Sequence, residues 1–295
     1  MRKIMIRTVA GGVLSMLITG SVHAVEMPQP VLNTGDNRQW ELLNDFSDEF
    51  NAVQLDEQKW HNDESDWGTW SWNPDNVYLQ NGSLHIRMAY DPHLRDGQQI
   101  FYKSGIVQSK QRIHYGFFEA RLKGASVFPG VCPAFWIKGS GDPEDSRMKG
   151  TEGRASSEVD FVELQEAPGD IHQIDCNLHA AVEMDGKLQW VRRRQHWVAP
   201  WDPRDDYHIY GCEVNETSIT WYIDGEKVLT TANDHWHFPS YVMLSMGLRP
   251  PYQVWGSPSK FGEGQKTRPN PDTSTPNGFP TEMCVDYVRV WTQAK

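Results

Sequence analysis

The sequence is poor in basic residues, in cysteine and in long apolar runs. Its 28 Lys and Arg against 39 Asp and Glu give a formal net charge of −11. Binding to nucleic acid depends on a surplus of Lys and Arg that neutralises phosphates, so we expect no nucleic-acid partner. No uninterrupted apolar run approaches the roughly 18 residues of a transmembrane helix, so we expect no membrane partner either. No stretch shows the long 3.6-residue period of an amphipathic helix, which argues against a helical fold.

The four cysteines are Cys132, Cys176, Cys212 and Cys284. None of them has the Cys-x-x-Cys spacing of a zinc or redox site, and in an exported protein they allow up to two disulfides in three connectivities. Cys212 and Cys284 lie in strand-like segments, and for these two we favour burial as small apolar side chains over pairing.

Residues 1–24 have the pattern of a secretion signal. The segment starts with the basic residues Arg2, Lys3 and Arg7. An apolar stretch follows at residues 9–18, and residues 22–24 form a cleavage site with a small final residue. No cysteine stands at the cleavage point, which argues against a lipid anchor. We therefore expect a secreted or periplasmic protein, and removal of the three basic residues would change the net charge from −11 to −14.

Short segments in which apolar and polar residues alternate recur along the chain, and turn residues such as Asn81-Gly82 and Asp224-Gly225 separate them. The predicted strands are Gly82–Met88, Lys103–Gln111, Phe117–Lys123, Ala134–Lys138, Glu158–Gln165, Asn177–Val182, Tyr207–Val214, Ser218–Ile223, Tyr241–Gly247 and Met283–Trp291. Many short strands indicate an all-β sandwich or barrel, here as a single domain over residues 25–295. Pro250–Pro280 is rich in Gly, Pro, Ser and Asn and is predicted to be a long functional loop.

Three acids stand close together at Glu158, Asp160 and Glu163, between large apolar residues. In a strand Glu158 and Asp160 share a face, but strict alternation would turn Glu163 to the other face. A one-residue β-bulge between Asp160 and Glu163 would bring all three acids together, and bulges are frequent next to active sites.

Two carboxyl groups, one ionised and one protonated, are the catalytic groups of a glycosidase. Three acids on one face repel one another, so we interpret their arrangement as serving chemistry on a concave sheet. The alternative is an edge strand whose acids are simply solvated, and the acid spacing alone does not decide between the two. The 13 Trp residues also suggest carbohydrate, since indole rings stack on the apolar faces of sugars.

The chain resembles family 16 of the glycoside hydrolases, and within it the κ-carrageenases. Glu158, Asp160 and Glu163 match the bulged Glu-x-Asp-x-x-Glu motif of that family. Further similar stretches are Trp67–Trp72, Tyr115–Ala125, Phe128–Trp136, Asp202–Gly211, Gly247–Arg249 and Val285–Arg289. The resemblance implies a β-jelly-roll sandwich of two antiparallel sheets with a concave substrate cleft. It also implies a retaining endo-hydrolase of β-1,4-galactosidic bonds in sulfated red-algal galactan, and no cofactor for catalysis.

By the same resemblance Glu158 is the nucleophile, Glu163 the acid/base and Asp160 the residue that orients Glu158. His179 matches a histidine beside the reacting sugar, although a strand histidine hydrogen-bonded within the sheet is the plainer alternative. Trp136 is expected to form the cleft floor, a position that also suits core packing.

Sulfate recognition is expected from arginine, whose planar fork suits tetrahedral oxyanions. Arg249 matches a sulfate-binding arginine of the κ-carrageenases, and Trp190 with Arg192 matches their Trp-x-Arg pair. Arg192 to Arg194 also fit a solvated loop on an acidic protein. The segment His235–Phe238 lacks an arginine that is common in the κ-carrageenases, which makes the less sulfated κ/β-hybrid furcellaran a plausible substrate.

Among Trp67, Trp70 and Trp72, at least one is expected to be a sugar platform. Folds of this family often hold a structural calcium, here at Asp286 and the carbonyl of Gly82. We expect a monomer. Two alternatives stay open: a hydrolase of porphyran, agarose or β-glucan on the same scaffold, and a non-catalytic galactan-binding protein, which would have no need of three crowded acids.

Overall fold

The computed structural model describes residues 28–32, 35, 37–140, 155–185, 187–256 and 267–294. The predicted secretion signal at residues 1–24 therefore lies outside the described residues. Within those ranges, no helix is long and apolar enough to cross a membrane.

The described residues form strands joined by turns, with two short 3-10 helices at Asn44–Phe46 and Pro74–Asn76. In chain order the strands are β1 Trp40–Leu42, β2 Trp60–His61, β3 Ser71–Trp72, β4 Val77–Gln80, β5 Ser83–Arg95, β6 Gln98–Ser104, β7 Ile106–Ser109, β8 Gly116–Lys123, β9 Val131–Ser140, β10 Ser156–Leu164, β11 Gln173–Asp175, β12 Leu178–Met184, β13 Lys187–Arg193, β14 His196–Val198, β15 His208–Val214, β16 Ser218–Ile223, β17 Glu226–Ala232, β18 Tyr241–Leu248, β19 Gln253–Trp255, β20 Thr267–Pro269 and β21 Thr281–Gln293.

Two large sheets pack face to face, as in a β-jelly-roll. The ten-stranded sheet has the order β17-β16-β15-β8-β21-β5-β6-β3, with β1 paired to β21 and β4 paired to β5. The nine-stranded sheet has the order β13-β12-β10-β9-β18-β7-β2, with β11 paired to β10 and β14. The pairing is antiparallel apart from the parallel contact between β3 and β6. The predicted all-β sandwich of two antiparallel sheets is confirmed.

Each of the ten predicted strands corresponds to an observed one, but the segment Lys103–Gln111 is divided between the two sheets. The chain leaves the ten-stranded sheet at the end of β6 and enters the nine-stranded sheet with β7, passing through Gly105. A Cβ at Gly105 would lie 2.5 Å from the carbonyl oxygen of Asn76. Only glycine fits at this crossing, and the alternation pattern does not reveal the change of sheet.

The turns follow their sequence signals, and one loop does not. Asn81 and Gly82 have φ of 54° and 74° between β4 and β5, the left-handed conformations of a tight hairpin turn. Asp224 and Gly225 do the same between β16 and β17, with φ of 49° and 82°. The expected loop Pro250–Pro280 is partly wrong, because it contains the paired strands β19 and β20.

The core lies between the sheets and is rich in aromatic rings. Phe118 of β8 stacks on Phe161 of β10 with ring centroids 4.8 Å apart, which joins the two sheets directly. All four cysteines are free in the structure, so neither of the two possible disulfides is formed. Cys212 is buried as predicted, while Cys284 is only partly buried.

Candidate active site

Three carboxylates share the outer face of β10. The register of β10 on β9 shifts between Asp160 and Val162, which confirms the predicted bulge. On either side of it, Glu158, Asp160 and Glu163 stand opposite alternate residues of β9, namely Lys138, Trp136 and Ala134. Side chains opposite one another in an antiparallel pair point to the same face, so the extra residue, Phe161, returns Glu163 to the side of the other two acids.

The bulge is fixed by bonds from neighbouring strands. The indole Nε1 of Trp221 crosses from the other sheet and donates to the carbonyl oxygen of Asp160 at 3.0 Å. The backbone N–H of Asp160 donates to the carbonyl of Asn177 at 3.0 Å. Phe161 points into the core, where its ring centroid lies 4.8 Å from that of Phe135. The polar groups freed by the irregular ladder therefore find partners, and the acids are held on a defined backbone.

Asp160 is the buried member of the three acids. No group in the described part of the chain donates a hydrogen bond to its Oδ2. Burial raises the pKa of Asp160 well above its ordinary value, and the negative charges of Glu163 and Glu158 raise it further. A protonated Asp160 can donate a hydrogen bond, and carboxylate oxygens of Glu158 and Asp160 lie within 4.8 Å of one another. The geometry therefore suits Asp160 to orient Glu158.

Glu163 is held by three donors. The Nη2 of Arg249 donates to its Oε1 at 2.7 Å, and the Nδ2 of Asn177 donates to its Oε2 at 2.9 Å. The thiol of Cys132 lies 3.7 Å from Oε1. An ionised carboxylate accepts at both oxygens, whereas a protonated one must donate. An acid role for Glu163 therefore requires at least one of these donors to turn away when substrate binds.

Arg249, which is expected to bind sulfate, is paired with two carboxylates in the structure. Besides the bond to Glu163, its Nε donates to a carboxylate oxygen of Glu166, and its Nη1 donates to the carbonyl of Leu248 at 2.9 Å. The guanidinium lies at the boundary of two neighbouring cavities of the cleft. A sulfate at this position would have to draw Arg249 away from Glu163 and Glu166, which come from distant segments of the chain.

His179, Arg192 and Trp190 lie on the same side of the sheet as the acids. His179 stands opposite Glu158 on one side and opposite Arg192 on the other. Its Nε2 lies 3.6 Å from Oδ2 of Asp160. Trp190, two residues from Arg192 on the same face of β13, is 63% exposed. The structure therefore brings His179 to the acids, places Arg192 one strand away and leaves Trp190 at the periphery.

The tryptophans form a cluster with one exposed member. Trp67 is 41% exposed and contacts Trp70, Trp72 and Trp136, with ring centroids 5.4, 4.9 and 6.4 Å away. Trp70 and Trp136 are buried but contribute to the wall of the cavity that holds the acids. Trp72 is 7% exposed and packs under Trp67, so it is not the exposed platform among the three. It supports the exposed ring instead.

Four cavities run in a row across the nine-stranded sheet. The largest, of about 880 Å³, lies over β12 and β13 and is bounded by Glu158, Glu163 and Arg249. The next, of about 130 Å³, contains all three acids. Two more, of about 250 and 390 Å³, continue over β18, β7 and β2 and share Tyr241. Seven strands at about 4.8 Å spacing make a cleft on the order of 29 Å long, with the acids near its middle.

Several cleft residues were missed by sequence reasoning. They are Lys138, Glu166, Asn177, Tyr241 and Trp255. None belongs to a local motif, and each reaches the cleft through cross-strand register or a loop. Trp255, 57% exposed at the end of β19, had one signal: a large apolar residue inside a Gly- and Pro-rich segment.

The residues expected to hold calcium do not fit that ion. The Oδ2 of Asp286 accepts an ion pair from Nη1 of Arg121 at 2.8 Å, so the guanidinium already supplies the positive charge. Two other groups of possible metal ligands are found among the described residues: Cys132, Glu163 and Glu166, and Glu158, Asp160 and His179. Both include acids of the β10 cluster, and Arg249 donates to two members of the first, so we assign no metal to either.

Comparison with known proteins gives consistent relatives. Residues 40–293 match the family model described as "Beta-porphyranase A-D, GH16 domain". The κ-carrageenase of Pseudoalteromonas carrageenovora is 37% identical over 95% of this chain and 71% of its own length.

Solved structures of κ-carrageenases are also similar to this chain. The complex of the κ-carrageenase of P. carrageenovora with an oligotetrasaccharide of κ-carrageenan has a TM-score of 0.78 at 35% identity, covering 91% of this chain and 100% of that one. A κ-carrageenase of Zobellia galactanivorans gives 0.78 at 36% identity over 90% and 100% of the two chains. Porphyranase B of Z. galactanivorans, at 19% identity over 91% and 100%, has a TM-score of 0.70 and supports the fold alone.

Proposed function

Because the chain belongs to family 16 of the glycoside hydrolases, we propose that it is a retaining endo-hydrolase of β-1,4-galactosidic bonds in sulfated red-algal galactan. Its substrate is κ-carrageenan or the κ/β-hybrid furcellaran. One observation carries the proposal: Glu158, Asp160 and Glu163 stand on the cleft face of one strand, on either side of a fixed bulge.

In this mechanism Glu158 attacks the anomeric carbon and Glu163 protonates the leaving oxygen, after which Glu163 activates the water that releases the product. Asp160, whose pKa is raised by burial, lies beside Glu158 and holds its orientation. Arg249 leaves Glu163 when an anionic substrate binds, so the acid is freed where substrate is present.

Endo action on a polymer is supported by the cleft, which is open along the row of cavities and holds the acids near its middle. A chain that extends on both sides of the acids is cut internally. Sulfated substrate is supported by Arg192 and Arg194, which line the largest cavity beside the acids. It is also supported by the similarity to two κ-carrageenases.

A second candidate substrate is porphyran, because the matching family model is that of β-porphyranases. A screen against κ-carrageenan, furcellaran, porphyran and agarose, with identification of the oligosaccharide ends, separates these substrates. Release of new reducing ends also separates a hydrolase from a non-catalytic galactan-binding protein.

The decisive variants are Glu158→Gln and Glu163→Gln. Each removes one of two required carboxyl groups, so turnover should fall by several orders of magnitude while binding to the polymer persists. Glu41→Gln, an exposed acid of β1 in the other sheet, is the control. Near-normal turnover by either cleft variant would reject the mechanism, and inverted configuration in the first product, followed by NMR, would reject retention.

We also propose that the protein is exported, because a galactan polymer is too large to enter the cell and has to be hydrolysed outside it. We expect the exported protein to begin near residue 25. The N-terminal mass of protein recovered from the medium or periplasm tests this, and an intact N-terminus in that fraction would contradict it.

A further inference from the structure

Lys138 places a positive charge beside the predicted nucleophile. It lies on β9 directly opposite Glu158, and its Nζ is 3.6 Å from Oε2 of that residue. This distance is that of an ion pair and exceeds a good hydrogen bond. The Lys138 side chain is 51% exposed, so its ammonium group is open to a ligand in the cleft. Neither the family motif nor the mechanism above uses it.

Two indole rings surround this ammonium group. The Nζ of Lys138 lies 6.0 Å from the ring centroid of Trp67 and 5.8 Å from that of Trp136. At this distance a cation is attracted to the face of an indole. Trp67 is the exposed ring of the tryptophan cluster, so a sugar stacked on it brings its ring substituents close to the Lys138 ammonium.

The charge of Lys138 lies across the acids from the arginines. Arg192 and Arg194 line the large cavity on one side, whereas Lys138 lines the two cavities that continue past Trp67 on the other. The cleft therefore presents basic groups on both sides of the catalytic acids, and these groups offset the repulsion between an ionised Glu158 and a polyanion. This arrangement suits a substrate that carries anions on both sides of the bond to be cut.

We propose that Lys138 binds a sulfate ester on the sugar unit that occupies the Trp67 side of the cleft. The enzyme then recognises sulfation on both sides of the scissile bond, and a hybrid galactan is cut mainly where sulfated units adjoin. This inference rests on the proposed function and adds to it the identity of a second anion-binding position. It differs from a role in which Lys138 only holds Glu158 in place.

The test compares Lys138→Met and Lys138→Arg on κ-carrageenan and on the same polymer after chemical desulfation. A hydrogen bond to a charged group is worth enough that its loss costs about tenfold in binding or more. We expect Lys138→Met to lower the ratio of kcat/KM on sulfated to desulfated polymer about tenfold, mainly through KM, and Lys138→Arg to restore most of it. Lys187→Met, an exposed lysine at the start of β13, controls for the loss of one positive charge.

Equal losses on both polymers would show that Lys138 only positions Glu158 and would overturn the inference, as would an unchanged ratio in Lys138→Met. A second measurement does not depend on turnover. In native gels that contain sulfated or desulfated polymer, Lys138→Met should be retarded less than the wild type by the sulfated polymer alone. If the wild type cleaves neither polymer, the proposed function fails, and this retardation still decides the inference.

Discussion

Asp160→Asn should stabilise the fold at neutral pH. The Asp160 carboxyl group is buried beside two other acids, and its Oδ2 has no hydrogen-bond donor among the described residues. Burial first, and then the charges of Glu163 and Glu158, raise its pKa well above the ordinary 3.8. Asparagine has nearly the same shape and carries no charge, so it removes the cost of a buried carboxylate.

The pH dependence of this stabilisation follows from proton linkage. Above pH 3.8 the unfolded chain loses the proton of Asp160, while the folded chain retains it until its raised pKa is reached. The folded state then binds more protons, so the free energy of unfolding falls as pH rises through this interval. The cost cannot exceed about 1.4 kcal/mol per pH unit, or roughly 4 kcal/mol at pH 7. The gain of Asp160→Asn should lie within this bound at pH 7.

Thermal unfolding of both proteins from about pH 3.5, near the ordinary pKa, to about pH 8 measures the effect. For a chain of this size about 1 kcal/mol corresponds to about 2–4 °C in Tm. The Tm gain of Asp160→Asn should be near zero at the acid end and grow toward neutral pH. Asp272→Asn, an exposed acid in a turn, controls for removing one charge from an acidic protein. A gain that does not depend on pH, or a loss at pH 7, would refute the reasoning.

Three further predictions concern the cleft and the cysteines. Arg249→Ala should lower kcat/KM on sulfated galactan about tenfold to a hundredfold, because a hydrogen bond to a charged group is worth that much. The loss on agarose should be much smaller, and equal losses on the two polymers would reject a sulfate role. Trp67→Ala should raise KM, measured from initial rates, with little change in stability. Trp72→Ala should instead cost about 3–5 kcal/mol of stability, measured by urea unfolding. Since all four cysteines are free, dithiothreitol should leave Tm unchanged, and a fall would indicate a disulfide.

What the sequence predicted well was local. The spacing of Glu158, Asp160 and Glu163 required one extra residue for the three acids to share a face, and the structure has the bulge at that place. Asn-Gly and Asp-Gly pairs at the hairpins need only their own backbone preferences. In each case the physical cause lies within a few neighbouring residues, so the amino-acid sequence is enough to predict the local structure.

The features that could not be predicted from the sequence depend on contacts between distant segments of the chain. Lys138 faces Glu158 only because of the register of β9 on β10. Trp72 alternates like a surface residue, yet it is covered by Trp67, which comes from the preceding loop. Arg249 finds Glu163 and Glu166 as partners across the sheet. These outcomes are set by which strands become neighbours, and alternation along one strand carries no such information.

The bulge residue Phe161 separates the contribution of packing from that of geometry. Phe161→Ala removes a buried ring and should cost about 3–5 kcal/mol of stability, but it keeps the extra residue and hence the orientation of Glu163. Deletion of Phe161 loses the same ring and preserves the register, because Asp160 and Val162 already stand opposite consecutive residues of β9. It abolishes the local bend that a bulge imposes. We therefore expect comparable losses of stability from the two changes, measured by urea unfolding, but a much lower turnover per folded molecule in the deletion alone. Equal turnover in both would mean that co-facial acids suffice and that the bend has no part in bringing Glu163 toward Glu158.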